Sequence, residues 1–456
     1  MSARQETEAL LSLGLPLALT QLGHIAIGTT DTLMLGRLDA QSLAAGGLGM
    51  AILHIPVLFG FGVVSAVSPM VAHALGSRRP RTARRTVRQG LWITFLVTTP
   101  AIALLWFSEP WLQAIGQSPE IARDVQIYLR SAGFGVVSAV GFVALRGFVT
   151  AFGHTRSILI IQFCAIPLNA LINYLLIFGN FGFPRLEIAG AGIASTLVNS
   201  FTFLALLAVA VWRRPYRRYA VLNRFWRPDW STFASILRLG LPIGVTLIME
   251  VGIFAGAGIM MGWIGTIELA AHQVAIQIAA VTFMVPLGLA QAATIRVALH
   301  GGAGRPTHRL MAGRVSLVVA AGFMAVAAIT IALFAETLAS LYLGAEIPNR
   351  SVVLETAVLY LMVVAAFQLF DGLQVVGLGV LRGLSDTRVP MIFALVGYWL
   401  IGMPASAILA FVVDWQGTGL LIGLVIGLAV VAVSTIIRFE RLAGHDRPAL
   451  QREAVS

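Results

Sequence analysis

Residues 13–36 read LGLPLALTQLGHIAIGTTDTLMLG, and residues 239–262 read LGLPIGVTLIMEVGIFAGAGIMMG. Each stretch is apolar for long enough to cross a bilayer as a helix, which takes about 20 residues. The tetrapeptide Leu13-Gly14-Leu15-Pro16 returns as Leu239-Gly240-Leu241-Pro242, 226 positions later. At that offset Gly36 meets Gly262, and Leu43-Ala44-Ala45 meets Leu269-Ala270-Ala271. Gly62 then meets Gly288, and Gly76 meets Gly302. Further on, Gly153-His154-Thr155-Arg156 resembles Ser385-Asp386-Thr387-Arg388 at a slightly different offset. Apolar helices share composition, but composition alone does not hold one offset across Pro and Gly. The chain reads as two copies of one unit.

Working outward, the rest of the chain has the same character. Of 456 residues, 58% are hydrophobic and 11% charged, with a mean hydropathy of +0.87. A soluble domain is nearer half apolar and a quarter charged, so most of this chain has the bilayer as its solvent. Twelve apolar runs lie near Leu10–Leu35, Leu43–Leu75, Val87–Phe107, Gln126–Thr150, Ile158–Phe178, Ile188–Trp212, Ile236–Trp263, Leu269–Leu299, Met311–Phe334, Val352–Leu381, Val389–Phe411 and Gly417–Ile437. These predict an all-α membrane protein of about twelve transmembrane helices in two pseudo-symmetric six-helix lobes. The expected division is an N-lobe over 1–212, a cytoplasmic linker over 213–235, and a C-lobe over 236–456 ending in a short tail. Six helices separate the copies, so the repeat has parallel topology, as in transporters built of two facing halves. The first run is too long for a signal-peptide core and is expected to stay as a helix.

All 31 basic residues are Arg, and most fall in alternate connectors. Arg78, Arg79, Arg81, Arg84, Arg85 and Arg88 follow the second run; Arg213, Arg214, Arg217, Arg218, Arg224 and Arg227 follow the sixth. Arg305 and Arg309 follow the eighth, and Arg441, Arg447 and Arg452 lie in the tail. The opposite connectors hold Asp39, Glu109, Glu120, Glu187, Glu268, Glu346 and Asp414. This asymmetry places both termini in the cytoplasm. It also explains the net charge of +11 without nucleic acid as a partner. Trp106, Trp111, Trp212, Trp230, Trp263 and Trp415 mark run ends, as interfacial anchors do. The single Cys164 sits in an apolar run and is expected to be a buried, inert thiol.

Few ionisable groups stand at membrane depth, where each costs about 2.5–3.5 kcal/mol and usually serves function. Asp31 comes late in the first run, Glu250 in the middle of the seventh and Asp371 deep in the tenth. Gln21, His24, Gly28 and Asp31 share one helical face, and under the repeat His24 takes the position of Glu250. A cation or a proton relieves a buried carboxylate, which is what ion coupling requires. Asn169 and Asn173 lie one turn apart, as do Gln273 and Gln277; helix-packing hydrogen bonds are the plain alternative for such amides. Met249, Phe254, Met260, Phe283 and Phe367 could form an adaptable apolar wall for a substrate, or simply pack. The ladders Gly252–Gly256–Gly258–Gly262 and Gly419–Gly423–Gly427 read as helix packing. With no Lys there is no phosphate-binding Gly-Lys loop. No His-Glu-x-x-His, Cys pair or Gly-x-Ser-x-Gly is present either, so no enzyme chemistry and no cofactor are expected.

These features together resemble the multidrug and toxic compound extrusion (MATE) transporters, in their bacterial NorM-like branch, over essentially the whole chain. The likeness rests on Asp31-Thr32-x-Met34-x-Gly36, Leu239-Gly240-Leu241-Pro242 leading to Glu250, and Pro167-Leu168-Asn169 with Asn173. It also rests on Gln368-x-x-Asp371 followed by Arg382-Gly383-x-x-Asp386-Thr387-Arg388. The resemblance implies efflux of organic cations and amphipathic compounds from a bacterium across its inner membrane, by antiport with sodium ions or protons. It makes Glu250 and Asp371 the C-lobe cation or proton site, and Asp31, Asn169 and Asn173 the N-lobe site, with His24 a further candidate there. Gln273, Gln277, Phe254, Met249 and Phe367 are candidates for the substrate cavity between the lobes, and a monomer suffices. Sodium-coupled relatives carry Tyr where this chain has Phe367, and losing that hydroxyl tilts the expectation toward protons or mixed coupling. A flippase for lipid-linked sugars or cell-wall precursors is the alternative. It calls for several Arg inside the helices, whereas the inner Arg here read as confined to helix ends.

Overall fold

A computed structural model describes residues 2–344 and 349–443; Glu346, Arg447, Arg452 and the C-terminal tail lie outside the described residues. Among the described residues, twelve helices are long and apolar enough to cross a membrane, and each matches one expected run. They are α1 (Ala3–Leu35), α2 (Ala40–Gly76, interrupted at Ala66), α3 (Pro80–Trp106), α4 (Pro119–Ala151), α5 (Arg156–Phe178) and α6 (Glu187–Trp212). The second six are α7 (Trp230–Ile264), α8 (Thr266–Gly302), α9 (Pro306–Leu333), α10 (Arg350–Gly383), α11 (Arg388–Val412) and α12 (Gln416–Ala443).

Several helices outrun the apolar stretches that announce them, because their first turns are polar and capped. Asp39 opens α2 by accepting the Ser42 amide at 2.6 Å. That amide and the Ser42 hydroxyl hold its carboxyl below the usual carboxylate range. Ser118 opens α4 with Pro119 behind it, and Asp229 accepts the Thr232 amide at 3.1 Å at the start of α7. Each side chain satisfies an amide that has no partner within the helix. The connector after α6 is anchored by Tyr216, buried with its ring edge-on to Phe152 and tilted against Phe148. Burial pushes its hydroxyl up to about 12. Arg213 also donates to the Ser157 hydroxyl at 2.6 Å.

Compactness divides the described chain into residues 2–18 with 245–443, and residues 19–244. Both boundaries fall inside helices, at Ala18 in α1 and Gly244 in α7, rather than in the Arg-rich connector. They are 226 positions apart, the period of the sequence repeat. The physical reason is a pair of equivalent helix crossings. In the first unit α1 lies on α8: a Cβ on Gly288 would stand 2.7 Å from the Gly14 carbonyl oxygen and 2.5 Å from the Ala18 nitrogen. In the second unit the start of α7 lies on α2: a Cβ on Gly240 would meet the Val63 carbonyl at 2.1 Å, and one on Gly62 the Gly244 Cα at 2.4 Å. Backbone touches backbone at both crossings, which small residues alone permit.

The first crossing is reinforced by an ion pair. Arg296 of α8 grips Glu6 through both carboxylate oxygens, at 2.7 and 2.6 Å, and His300 stands 3.3 Å from the second oxygen. Leu10 and Leu13 pack beside it with Leu289, Ala293 and Val297. The glycine ladder on α12 is packing, as its spacing indicates: Gly427 faces Gly397 and Gly402 of α11, and Gly423 faces Ser406. Helix α11 meets it through wide, π-helical turns at 395–402 and 408–412. Cys164 departs from expectation: it is exposed, on a face of α5 with the exposed Ile160 and Phe163. The residues next to Cys164 in α5 are mostly apolar, so local apolar context does not distinguish a buried position from a lipid-facing one.

The crossings carry a prediction. Gly240→Val forces a branched side chain against the Val63 carbonyl and should cost about 1–3 kcal/mol, the range for overpacking. Thermal unfolding of the purified protein in detergent should show the lower midpoint. Gly258→Ala, where a Cβ meets nothing within 4 Å, should leave the midpoint unchanged; equal losses in both variants would refute the crossing as the cause.

Candidate functional site

Each unit holds a buried carboxylate cluster. In the second unit, Asp31 of α1 is 6% exposed. One of its oxygens accepts the side-chain amides of Asn169, at 2.9 Å, and Asn173, at 2.6 Å, both from α5. The Ser195 hydroxyl of α6 lies 3.4 Å from the other. The two amides reach one oxygen because they sit one turn apart on a helix with Pro167 just before them. Their own carbonyl oxygens, Asn169 Oδ1 and Asn173 Oδ1, are enclosed and have no hydrogen-bond donor. Asp31 is thus held by neutral donors alone, with two further enclosed amide oxygens on the residues that hold it. Ser195 was not singled out from the sequence, where it lies in a plain Ala-Ser-Thr stretch of α6.

His24 is not part of this cluster. It stands two turns earlier on α1, about 10 Å along the axis, is exposed, and meets Phe142 edge-on at 6.5 Å. Beside it, Arg146 of α4 donates to Gln21 at 3.1 Å, and a Cβ on Gly28 would meet nothing within 4 Å. The shared face is therefore accessible at Gln21, His24 and Gly28 and closes at Asp31. Arg146 also corrects an expectation: it lies inside α4 and not at its end.

In the first unit, α7 supplies Glu250 and α10 supplies Asp371, 8% and 4% exposed. The two carboxyls lie within electrostatic range of each other and of the Tyr398 hydroxyl from α11. Arg382, at the end of α10, lies within electrostatic range of Glu250. Gln374 donates its amide to Tyr398 Oη at 2.5 Å; Gln368 donates to Thr282 at 2.5 Å. Three enclosed acceptors remain without a donor: Gln368 Oε1, Asp371 Oδ1 and Gln374 Oε1. Gln368, Asp371 and Gln374 follow one another at spacings of three, so one face of α10 bears the row. An enclosed acceptor left unmade costs about 1–3 kcal/mol, and a proton or cation would relieve that cost.

Gln374 is visible in the sequence by its spacing from Asp371, whereas Tyr398 has no local signal. Met249, Phe254 and Phe367 are brought together beside the carboxyls. Phe254 and Phe367 meet edge-on at 5.9 Å, Phe367 is buried, and Met249 and Phe254 pack against the same core. The Met249 carbonyl accepts the Trp399 indole at 3.3 Å. Met260 belongs to that core, and Phe283 packs on the other cluster of the same unit. Gln273 and Gln277 lie on an exposed face of α8. Among the described residues no three His, Cys, Asp or Glu side chains converge as a transition-metal set would.

Twelve apolar helices enclosing isolated carboxyls define a multi-pass membrane protein. A family model for MatE matches residues 16–175 and 242–408; the two matched segments open on the equivalent residues Pro16 and Pro242. The chain belongs to the MatE family. It is 45% identical, over 96% of its length and 94% of the relative's, to a protein of Mesorhizobium japonicum named "Probable multidrug resistance protein NorM". A protein of the same name from Bradyrhizobium diazoefficiens is 42% identical over 95% of this chain and 93% of its own. Among solved structures, the crystal structure of the eukaryotic MATE transporter AtDTX14 superposes with a TM-score of 0.87 at 19% identity, covering 100% of both chains. That last likeness concerns the fold.

The buried row also makes a stability prediction. Tyr398→Phe strands the Gln374 amide, which is fully buried, and should destabilise by about 1–3 kcal/mol. Trp399→Phe, whose indole is 39% exposed, should cost less. Thermal unfolding in detergent compares the two, and the reverse order would contradict the assigned bond.

Proposed function

We propose that the chain is a secondary active multidrug efflux transporter. It exports organic cations and amphipathic compounds across a bacterial inner membrane by antiport with protons or sodium ions, through alternating access, and is not an enzyme. The observation that carries this reading is a pair of buried carboxyl clusters, one in each compact unit, each with enclosed oxygens that lack a donor. The relatives' printed name, multidrug resistance protein, supports the drug-efflux side of it. Glu250 and Asp371 serve as the C-lobe coupling site, and Asp31 with Asn169 and Asn173 as the N-lobe site.

The substrate's positive charge and the coupling ion compete for the same carboxyls, so binding of one releases the other. The membrane potential adds about 2.3 kcal/mol per charge per 100 mV to any exchange that moves net charge. Tyr398 supports a role for hydroxyl ligation at the C-lobe site, standing in for the hydroxyl that Phe367 lacks. The chain works as a monomer with both termini in the cytoplasm, its six-helix halves joined by the linker at 213–235. A flippase reading gains little: arginines inside helices are engaged within the protein, Arg146 by Gln21 and Arg296 by Glu6.

Efflux of ethidium from proteoliposomes under a separately imposed pH or sodium gradient tests the reading. Wild type should extrude dye under at least one gradient, while Glu250→Gln and Asp371→Asn should fall to the level of empty vesicles. Dye movement unaffected by either substitution would sink the coupling assignment. Phe367→Tyr restores a hydroxyl beside Asp371 and should raise the share of efflux driven by sodium relative to protons; an unchanged ratio would show that this hydroxyl does not choose the ion.

A further inference from the structure

The start of α3 and the connector before α7 build a cationic cluster that transport does not use. Arg88 is only 5% exposed. It lies within electrostatic range of Arg84, Arg85 and Arg227, with Asp229 as the one acidic group among the charges that act on it. Asp229 is already engaged twice, pairing with Arg85 at 3.3 Å and capping α7 through the Thr232 amide. Arg88 itself donates one amino group to the Arg224 carbonyl at 2.9 Å. Its Nε and that of Arg84 are enclosed with no acceptor. Four guanidinium groups therefore share one carboxylate that is largely spent. Burying an uncompensated charge costs several kcal/mol unless a counter-charge arrives, so the cluster is built for an anion.

What kind of anion follows from its surroundings. Trp226 and Trp230 flank the cluster, 73% and 67% exposed, as indole rings do at the level of lipid headgroups. Trp92 of α3 fixes the connector there by donating to the Phe225 carbonyl at 3.1 Å. We propose that Arg84, Arg88 and Arg227, beside Trp226, bind the phosphodiester of an anionic phospholipid in the leaflet facing this end of the helices. Guanidinium forks match phosphate oxygens, and the indoles rest among the glycerol and upper acyl carbons. The bound headgroup bridges α3 to the connector leading into α7. This inference is independent of the transport reading.

The test is native mass spectrometry of the full-length protein in detergent, titrated with phosphatidylglycerol, phosphatidylcholine or inorganic phosphate. Wild type should retain phosphatidylglycerol in preference to phosphatidylcholine. Arg88→Gln and Arg227→Gln should each weaken that binding about fivefold, the worth of one arginine near an anionic headgroup. Arg227 is exposed, so its variant reports on binding even if Arg88→Gln disturbs folding. Arg218→Gln, exposed in the same connector but outside the cluster, should bind as wild type does. Three results would overturn the proposal: equal retention of both lipids, an equal loss in Arg218→Gln, or displacement of phosphatidylglycerol by inorganic phosphate, which would make free phosphate the occupant.

Discussion

Contact between bare backbones at two helix crossings governs the architecture. Gly288 beneath Gly14 and Ala18, and Gly62 beneath Gly240 and Gly244, leave no room for a Cβ directed at the partner. In a bilayer there is no hydrophobic gain from helix association, so close packing and interhelical polar contacts must supply it. Each crossing lets a helix begin in one compact unit and continue in the other. The Pro in each copy of Leu-Gly-Leu-Pro sits at this handover, Pro16 just before Ala18 and Pro242 just before Gly244. The repeat is thus the trace of one packing solution used twice.

The same economy explains what could be read in advance. Twelve helices and the duplication were legible because apolar length and glycine spacing are local properties of a chain in lipid. The first helix was read from Leu10, yet it starts at Ala3, since Glu6 becomes tolerable only once Arg296, 290 positions away, closes on it. Asp31, Asn169 and Asn173 were legible because each is a polar residue in an apolar run, and the structure joins them. Ser195 and Tyr398 were not: a serine in an apolar helix ordinarily bonds its own backbone, and a tyrosine there reads as an aromatic that packs. Only tertiary contact turns these two toward a carboxyl or an amide. The compact units divide at Ala18 and Gly244 for the same reason: the Arg-rich connector is conspicuous in sequence, whereas Ala18 and Gly244 gain their meaning from partners on other helices.

Three carboxyls with different company show how the fold separates structure from chemistry. Glu6 is 1% exposed and held by two arginine nitrogens and a histidine, so its charge is answered within the protein and its role is mechanical. Asp31 is answered by two neutral amides and a hydroxyl, which orient the group without cancelling its charge. Asp371 keeps one enclosed oxygen with no donor at all, beside a second carboxyl whose presence makes joint ionisation costly. Along that series the missing partner grows from nothing to a full positive charge. Only a species that comes and goes can supply it without locking the site, because a resident Arg at the same place would turn Asp371 into another Glu6. Among the described residues, the arginine that acts on this pair is Arg382, at the end of α10, and it acts on Glu250. Under the proposed antiport, keeping the counter-charge off Asp371 is what would leave that carboxyl free for exchange.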